Sequence, residues 1–260
     1  MFNKEYWEGI LIPWWQILLL IVLSVALIIT IIAVISAVLK RRGEKSRVST
    51  KDITYGAICV AASFALSYIR IFKLPYGGSI TLASVLPMLI YCYYFGFRKS
   101  LVVSAVFMLL QLIQEPYIVS PWSALLDYFV PYLSLSLAGL FCFKRKKYDE
   151  KITAGKPPIT CHLGFFIGTV IYFAVRYFSH TLAGVLFWAQ DIDFLIWSGN
   201  LAGAAAWGYS ATYNIIFLLP DTLIAVAAGA AILSSKTFNA FMASSCHALK
   251  NADAAHKDNQ

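Results

Sequence analysis

Charged residues are scarce in this 260-residue chain: 13% are Asp, Glu, Lys or Arg, whereas 60% are hydrophobic. Soluble domains contain about a quarter charged residues and about half apolar ones, so this composition excludes an ordinary soluble enzyme and a disordered chain. Catalytic signatures are missing as well, since the sequence has no P-loop, no GxSxG and no HExxH. The chain is therefore not expected to hydrolyse ATP on its own.

The five cysteines form no CxxC pair, which argues against a metal site or a disulfide framework. Four of them lie in or at the ends of apolar runs, and we interpret them as buried, unreactive thiols. We expect no metal and no other cofactor.

Long hydrophobic runs are the main feature that is present, and the mean hydropathy is +0.70. The first run, Pro13–Leu39, is too long for a signal-peptide core and ends directly at Lys40. Six more come after it, at Ile53–Ile69, Ser79–Phe95, Ser100–Ile113, Trp122–Phe143, Thr160–Trp188 and Gly208–Leu233. These runs predict an all-α polytopic membrane protein with seven spans.

Basic residues alternate between the connections and indicate the orientation of the chain. Of the 21 Lys and Arg residues, 17 lie in the first, third and fifth connections and in the C-terminal tail. By the positive-inside rule these segments are cytoplasmic, so the N-terminus is outside a plasma membrane and the C-terminus is cytoplasmic. This distribution also accounts for the net charge of +8 without nucleic-acid binding.

The chain divides into three predicted parts. Residues 1–48 form an N-terminal transmembrane helix and basic linker, 49–235 a six-helix membrane domain, and 236–260 a polar cytoplasmic tail. Apart from Gln16 near its start, the first helix has only Ser24, Thr30 and Ser36 as polar residues, which is typical of an anchor or interaction helix. No sequence repeat supports an inverted-repeat transporter.

Several polar side chains fall inside the predicted spans, where a charge costs about 2.5–3.5 kcal/mol on insertion scales. Asp127 and Tyr128 lie near the outer start of one span, His180 near the outer end of the next, and Asn214 near the outer start of the last. Three spans therefore place polar groups at one depth, which predicts a shared pocket. The alternative is structural ion pairing between helices, for instance of Asp127 with Arg176.

Spacing supports a pocket on the fifth span of the six-helix domain. Arg176, His180, Gly184 and Trp188 recur every four residues and form one helical stripe, in which Gly184 leaves room for a flat group. On the sixth span, Tyr209 and Asn214 are about 140° apart on a regular helix, so they share a site only if Tyr209 belongs to the first turn.

Two further residue sets receive structural interpretations. Asp221 shares a face with Asn214 and follows Pro220, and we assign it a structural or coupling role. The remaining histidines, His162, His247 and His256, are interpreted as solvated or interfacial.

An acid, an imidazole, an amide and several aromatic rings suit a flat heteroaromatic cation, because ring faces attract positive charge and a carboxylate pairs with a cationic edge. Thiamine is one such cation, and composition alone does not separate it from others. Two other function classes stay open at this point. One is an intramembrane enzyme with Asp127 and His180 as acid and base. The other is a proton-coupled solitary carrier that uses Asp127 or Asp221.

Four segments resemble one transporter family over residues 50 to 235. The first is Lys73-Leu74-Pro75-Tyr76-Gly77-Gly78-Ser79, followed by the apolar run Leu82-Ala83-Ser84-Val85-Leu86-Pro87. The other three are Leu126-Asp127-Tyr128, Arg176 to Trp188 with His180 and Gly184, and Tyr209 to Asn214. Together they are similar to the thiamine-specific substrate-binding (S) components of energy-coupling factor (ECF) transporters. The resemblance implies a six-helix S-component bundle, here preceded by one extra helix, that takes up thiamine and is not an enzyme.

The resemblance also implies roles for individual residues. Asp127 would hold the aminopyrimidine, Tyr128 and Tyr209 would add hydrogen bonds, and Trp188 and His180 would flank the thiazolium. Asn214 would direct its amide oxygen at the charged ring, Gly184 would offer backbone and space, and the loop around Tyr76 would act as a lid. Another vitamin or precursor remains an alternative ligand within the same fold.

The family further implies protein partners within the lipid membrane. Ala57, Ala61 and Ala65 form a ridge of small residues that would meet the transmembrane T component, and two ATPase subunits would complete the transporter. The alternative for this ridge is ordinary packing within the domain.

Overall fold

The computed structural model describes residues 49–114, 118–242 and 244–245. The predicted extra helix with its linker up to residue 48, and the tail from residue 246 with His247 and His256, lie outside the described residues.

Six long or apolar helices form the bundle, and each of the six predicted spans overlaps one of them. They are α1 (Thr50–Ser67), α2 (Leu86–Phe95), α3 (Phe97–Ile113), α4 (Pro121–Phe141), α6 (Leu163–Phe187) and α7 (Gly203–Leu233). A polar helix, α5 (Arg145–Thr153), connects α4 to α6, and residues 236–242 form a final helical segment, α8. Within the described residues α4, α6 and α7 are long and apolar enough to cross a membrane.

Two short antiparallel hairpins complete the domain. The lid hairpin pairs β1 (Arg70–Lys73) with β2 (Ser79–Thr81), and its tip is a short helical turn at Pro75–Gly77. The outer hairpin pairs β3 (Ile192–Phe194) with β4 (Trp197–Gly199) between α6 and α7. The prediction of one span over Ser79–Phe95 is therefore wrong in its first half. Hydropathy does not distinguish a short apolar strand from a helix, and Ile80 pairs with Phe72 of β1 instead.

The helix α1 begins at a capping box and presents two different faces. The Ser49 side chain accepts a hydrogen bond from the backbone, and Asp52 accepts one from the Ser49 N–H at 2.8 Å. The buried face carries Gly56, Val60 and Ser63.

The opposite face of α1 carries the predicted ridge of Ala57, Ala61 and Ala65, and all three are exposed. The alternative that this ridge packs within the domain is therefore wrong for the described residues, because those residues cover none of the three.

The short helix α2 lies at the centre of the core. Met88, Leu89 and Cys92 are fully buried, and the neighbouring residues of α2 are buried on every side. A helix that is apolar on all sides packs in the interior of a protein rather than at its surface. Around it pack Leu135 of α4 and Phe165 and Tyr172 of α6.

The helix α4 is irregular where it carries Asp127. Residues Leu125–Phe129 form a π-helical turn, and the Val130 N–H donates to the carbonyl of Leu125, five residues earlier. Pro131 has no N–H to offer the carbonyl of Asp127 and its ring would crowd that carbonyl, so a regular α-helix is disfavoured here. Such π-turns are frequent at functional sites, and this one positions Asp127 and Tyr128.

His162 precedes α6 and is fully buried, so its interpretation as a solvated or interfacial residue is wrong. Its ring lies among Tyr93, Phe143 and Tyr148, and Nδ1 is 3.1 Å from the Tyr93 hydroxyl. Burial, with a smaller effect of the Lys151 charge, lowers the pKa of His162 to about 4. The folded protein therefore holds this imidazole neutral.

Acidification should consequently destabilise the fold through His162. An unfolded histidine titrates near pH 6.5, so the stabilisation is complete above that pH and falls as the pH drops towards 4, where the folded imidazole also takes a proton. We expect the melting temperature in detergent to fall between pH 7 and pH 5, and to fall less in His162→Phe. An equal fall in both proteins would contradict the assignment.

Candidate functional site

The eight residues predicted to bind a ligand line one cavity of about 200 Å³. They come from the lid hairpin, α4, α6 and α7, and they are Tyr76, Asp127, Tyr128, His180, Gly184, Trp188, Tyr209 and Asn214. We call this space the site cavity. The prediction that three spans contribute side chains at one depth agrees with this placement, whereas the role of each residue towards a ligand stays a prediction.

A carboxylate at the centre of the site joins two helices. The Nδ1 of His180 lies 3.0 Å from one oxygen of Asp127, and the indole N–H of Trp188 donates to the other oxygen at 3.0 Å. His180 and Trp188 are two turns apart along α6 and its C-terminal end, so Asp127 of α4 fixes the orientation of both rings. Each carboxylate oxygen keeps a further lone pair, which allows Asp127 to accept a hydrogen bond from a ligand as well.

A second carboxylate forms an ion pair beside the site, and it is a different pair from the predicted alternative. Arg176 pairs with Asp221 of α7, at 3.4 Å from Nη1 to the carboxylate, and not with Asp127. Asp221 also accepts hydrogen bonds from the backbone N–H of Thr81 at 3.0 Å and from its hydroxyl at 2.6 Å. Asp221 therefore connects α6, α7 and the base of the lid hairpin, which fits the structural or coupling role predicted for it.

Asn214 and Tyr209 both face the site cavity although Tyr209 does not belong to the first turn of α7. The helix begins at Gly203, so Tyr209 lies well inside it. Asn214 is 5% exposed, and its amide nitrogen donates to the carbonyl of Ser210 at 2.9 Å. The prediction that the two residues share a site only if Tyr209 belongs to the first turn is therefore wrong. The site cavity borders a wide face of α7, and both side chains reach it.

Gly184 serves a helix contact as well as the site cavity. A Cβ added at Gly184 would overlap the Ser210 hydroxyl, which itself donates to the carbonyl of Thr181 at 2.7 Å. The room that Gly184 leaves is thus taken largely by Ser210 of α7, which corrects the expectation of free space for a flat group. The glycine permits α6 and α7 to approach closely at the site.

Replacing Gly184 with alanine should therefore lower the melting temperature, at a cost of about 1–3 kcal/mol for overpacking. In a Ser210→Ala background the same substitution should cost clearly less, because the overlapping hydroxyl is gone. Thermal unfolding in detergent of the two single variants and the double variant measures this. Equal losses in both backgrounds would contradict the contact.

The lid tip holds an uncommon backbone conformation above the site cavity. Tyr76 has φ 61°, in the left-handed region that costs a non-glycine residue about 1–2 kcal/mol. Its hydroxyl accepts a hydrogen bond from the backbone N–H of Asp193 in the outer hairpin at 3.0 Å. The two hairpins thus meet over the site.

The structure adds lining residues that the sequence did not single out for the site. They are mainly Tyr132 of α4 and Ser210, Tyr213 and Phe217 of α7, together with the lid glycines. Tyr209, Tyr213 and Phe217 recur every four residues, and this aromatic stripe was the available signal.

A second cavity of about 620 Å³ adjoins the site cavity, and the residues that line both are Tyr76, Gly77, Ser79, Tyr128, Tyr132 and Arg176. Its other lining groups include Arg70, Lys73 and Asp221, so it has two more Lys and Arg side chains than the site cavity and an equal number of carboxylates.

Comparisons with known proteins all find similarity to thiamine transporters. A family model described as "Thiamine transporter protein (Thia_YuaJ)" matches residues 53–241. The thiamine transporter ThiT of Bacillus subtilis (strain 168) is 27% identical over 173 residues, which cover 65% of this chain and 82% of the relative. A solved structure of ThiT from Listeria monocytogenes superposes with a TM-score of 0.51 at 22% identity, covering 70% of this chain and 91% of that one.

Proposed function

The chain belongs to the thiamine transporter (Thia_YuaJ) family, and we propose that it is the membrane subunit that captures thiamine in the site cavity for uptake. Its relatives are transporters, and the protein is not an enzyme. One observation carries the proposal: Asp127, His180, Trp188 and Asn214, from three separate parts of the bundle, surround one cavity under a lid. That set suits a planar cation.

The contacts around Asp127 support a specific arrangement of thiamine. Its carboxylate, already held by His180 and Trp188, accepts hydrogen bonds from the aminopyrimidine. Tyr128 and Tyr209 add hydrogen bonds from the two sides of the cavity. The thiazolium lies against Trp188 and His180, whose rings stabilise its positive charge.

Asn214 complements the charged ring through its oxygen. Because its amide nitrogen donates to Ser210, the amide oxygen is the atom that it offers to the site cavity. Tyr76 then closes the cavity from the lid hairpin.

The site cavity opens towards the outside of the cell in this proposal. It lies at the start of α4, the end of α6 and the start of α7. The basic helix α5 follows the end of α4 and precedes α6, at the opposite end of the bundle. With α5 and its lysines cytoplasmic, the site faces outward and the C-terminus lies inside.

Titration calorimetry of the purified protein with thiamine tests the ligand. We expect saturable binding at one site with nanomolar affinity, which corresponds to about −12 kcal/mol. No saturable binding at micromolar thiamine would contradict the proposal. Tight binding of another vitamin, with thiamine unable to compete, would assign the site to that vitamin instead.

The exposed ridge on α1 supports the further proposal that the protein works with an ECF module. Ala57, Ala61 and Ala65 leave a smooth strip on which the T component's helices pack closely within the lipid bilayer, and two ATPase subunits drive transport. Ala61→Leu should prevent co-purification of the T component and leave thiamine binding intact. Co-purification equal to that of the unchanged protein would contradict this docking face.

A further inference from the structure

Tyr213 of α7 contacts both sides of the lid tip through one hydroxyl group. The backbone N–H of Gly78 donates to this hydroxyl at 2.8 Å, and the hydroxyl donates to the carbonyl of Pro75. Pro75 and Gly78 enclose Tyr76 and Gly77, the tip that covers the site cavity. A single side chain therefore ties the closed tip to the helix that carries Tyr209 and Asn214.

The fit between the lid tip and α7 is tight. A Cβ at Gly78 would lie 2.7 Å from the Tyr213 hydroxyl oxygen and 2.9 Å from a ring carbon of Phe217. The ring of Tyr213 also packs edge-on against Phe194 of the outer hairpin, with ring centroids 5.2 Å apart. Tyr213 is thus held between the lid hairpin, the outer hairpin and its own helix, and it is 8% exposed.

The hydroxyl of Tyr213 is not the donor that a ligand would use. A phenol has one proton, and here that proton goes to Pro75 while a lone pair receives the Gly78 N–H. Tyr76, at the centre of the tip, holds a sparsely populated backbone conformation that depends on contacts from outside the tip. Tyr213 supplies two of the contacts that hold the tip in place.

We propose that Tyr213 is the latch that holds the lid hairpin closed, a positioning residue that sets how fast thiamine enters and leaves. This inference rests on the proposed function, because the lid gates the thiamine site. The latch joins lid to helix with or without ligand, so its loss makes opening more frequent in both states. Association and release then accelerate together, and the equilibrium affinity changes little.

Stopped-flow measurement of thiamine binding to Tyr213→Phe tests the latch, because this variant keeps the ring and removes both hydrogen bonds. We expect both rate constants to rise about tenfold while Kd stays within about threefold, as two neutral hydrogen bonds are lost. Hydrogen exchange of residues 74–78 should also accelerate in the ligand-free variant. Gly78→Ala should act similarly, and the double variant should exceed either single variant only slightly.

Tyr177→Phe is the matched control. The Tyr177 hydroxyl donates to the carbonyl of Ala211 on α7 at 3.2 Å, and the residue lines neither cavity. Removal of the Tyr177 hydroxyl should leave the rates of thiamine association and release unchanged, together with the hydrogen exchange of residues 74–78.

Two results would overturn the latch. One is faster release with a proportional rise in Kd and unchanged association, which would make Tyr213 a ligand contact. The other is unchanged lid exchange in Tyr213→Phe. If the unchanged protein fails to bind thiamine, the proposed function fails, while lid exchange still decides whether the latch exists.

Discussion

Asp127→Asn is expected to weaken thiamine binding by at least about a hundredfold, equivalent to about 3 kcal/mol. The substitution keeps the size of the side chain but removes the negative charge, and its amide nitrogen cannot accept a hydrogen bond from the Trp188 indole or from an aminopyrimidine. The contact with His180 is weakened at the same time, because its ring nitrogen pairs with the same carboxylate and an amide offers it no negative charge. Titration calorimetry of the variant measures the loss.

A matched control is the same substitution at an exposed carboxylate. Asp149 on α5 pairs with Arg145 at 3.4 Å, and its side chain is 57% exposed. Because an exposed pair contributes little, Asp149→Asn should bind thiamine as the unchanged protein does. Equal affinity in the Asp127 and Asp149 variants would remove Asp127 from the site.

Asp221→Asn is expected to cause the largest loss of stability, of about 3–5 kcal/mol, because it leaves a buried arginine without its counter-charge. The Arg176 side chain is 11% exposed and that of Asp221 is 2% exposed. The substitution also disturbs the two hydrogen bonds that Thr81 donates to the carboxylate, so the base of the lid loosens. Thermal unfolding in detergent should show a clearly lower melting temperature.

The double variant Arg176→Gln with Asp221→Asn separates charge from packing. Removing both charges should restore much of the lost stability, because no unpaired charge of this pair remains buried. A double variant as unstable as Asp221→Asn alone would mean that the loss comes from Thr81 and packing, not from the uncompensated arginine.

The depth of the polar residues was the part of the site that the sequence could predict. Adjacent spans run in opposite directions, so the start of α4, the end of α6 and the start of α7 must lie at one end of the bundle. This reasoning placed Asp127, His180 and Asn214 together, and the structure has all three around the site cavity. It needs only the order of the spans and no side-chain geometry.

The sequence could not predict which carboxylate pairs with Arg176. Arg176 lies one turn from His180 on α6, and nothing in the spacing tells whether it pairs with Asp127 or with Asp221. Asp127 lies in the π-helical turn Leu125–Phe129, so a spacing argument that assumes 3.6 residues per turn does not give the direction of its side chain. Pro131 was the visible cause, but the response of a helix to proline depends on the packing around it.

The hairpins were the least predictable elements. Both are short, and in each of their strands one or two apolar residues, such as Ile80 and Phe194, lie among polar ones over too few positions to give a clear strand period. Their positions depend on tertiary contacts such as the hydrogen bond from the Asp193 N–H to Tyr76. Tyr213 was overlooked for the same reason: its partners are the backbone groups of Pro75 and Gly78, and backbone groups leave no signal in the side-chain pattern.

An experimental structure of the protein with thiamine bound tests the central claim most directly. We predict one thiamine in the site cavity, with its aminopyrimidine within hydrogen-bond distance of Asp127 and its thiazolium against Trp188 and His180. The lid should be closed through Tyr213. Thiamine bound elsewhere, or bound while Asp127 and Asn214 face away from it, would contradict the assignment of this cavity as the thiamine site.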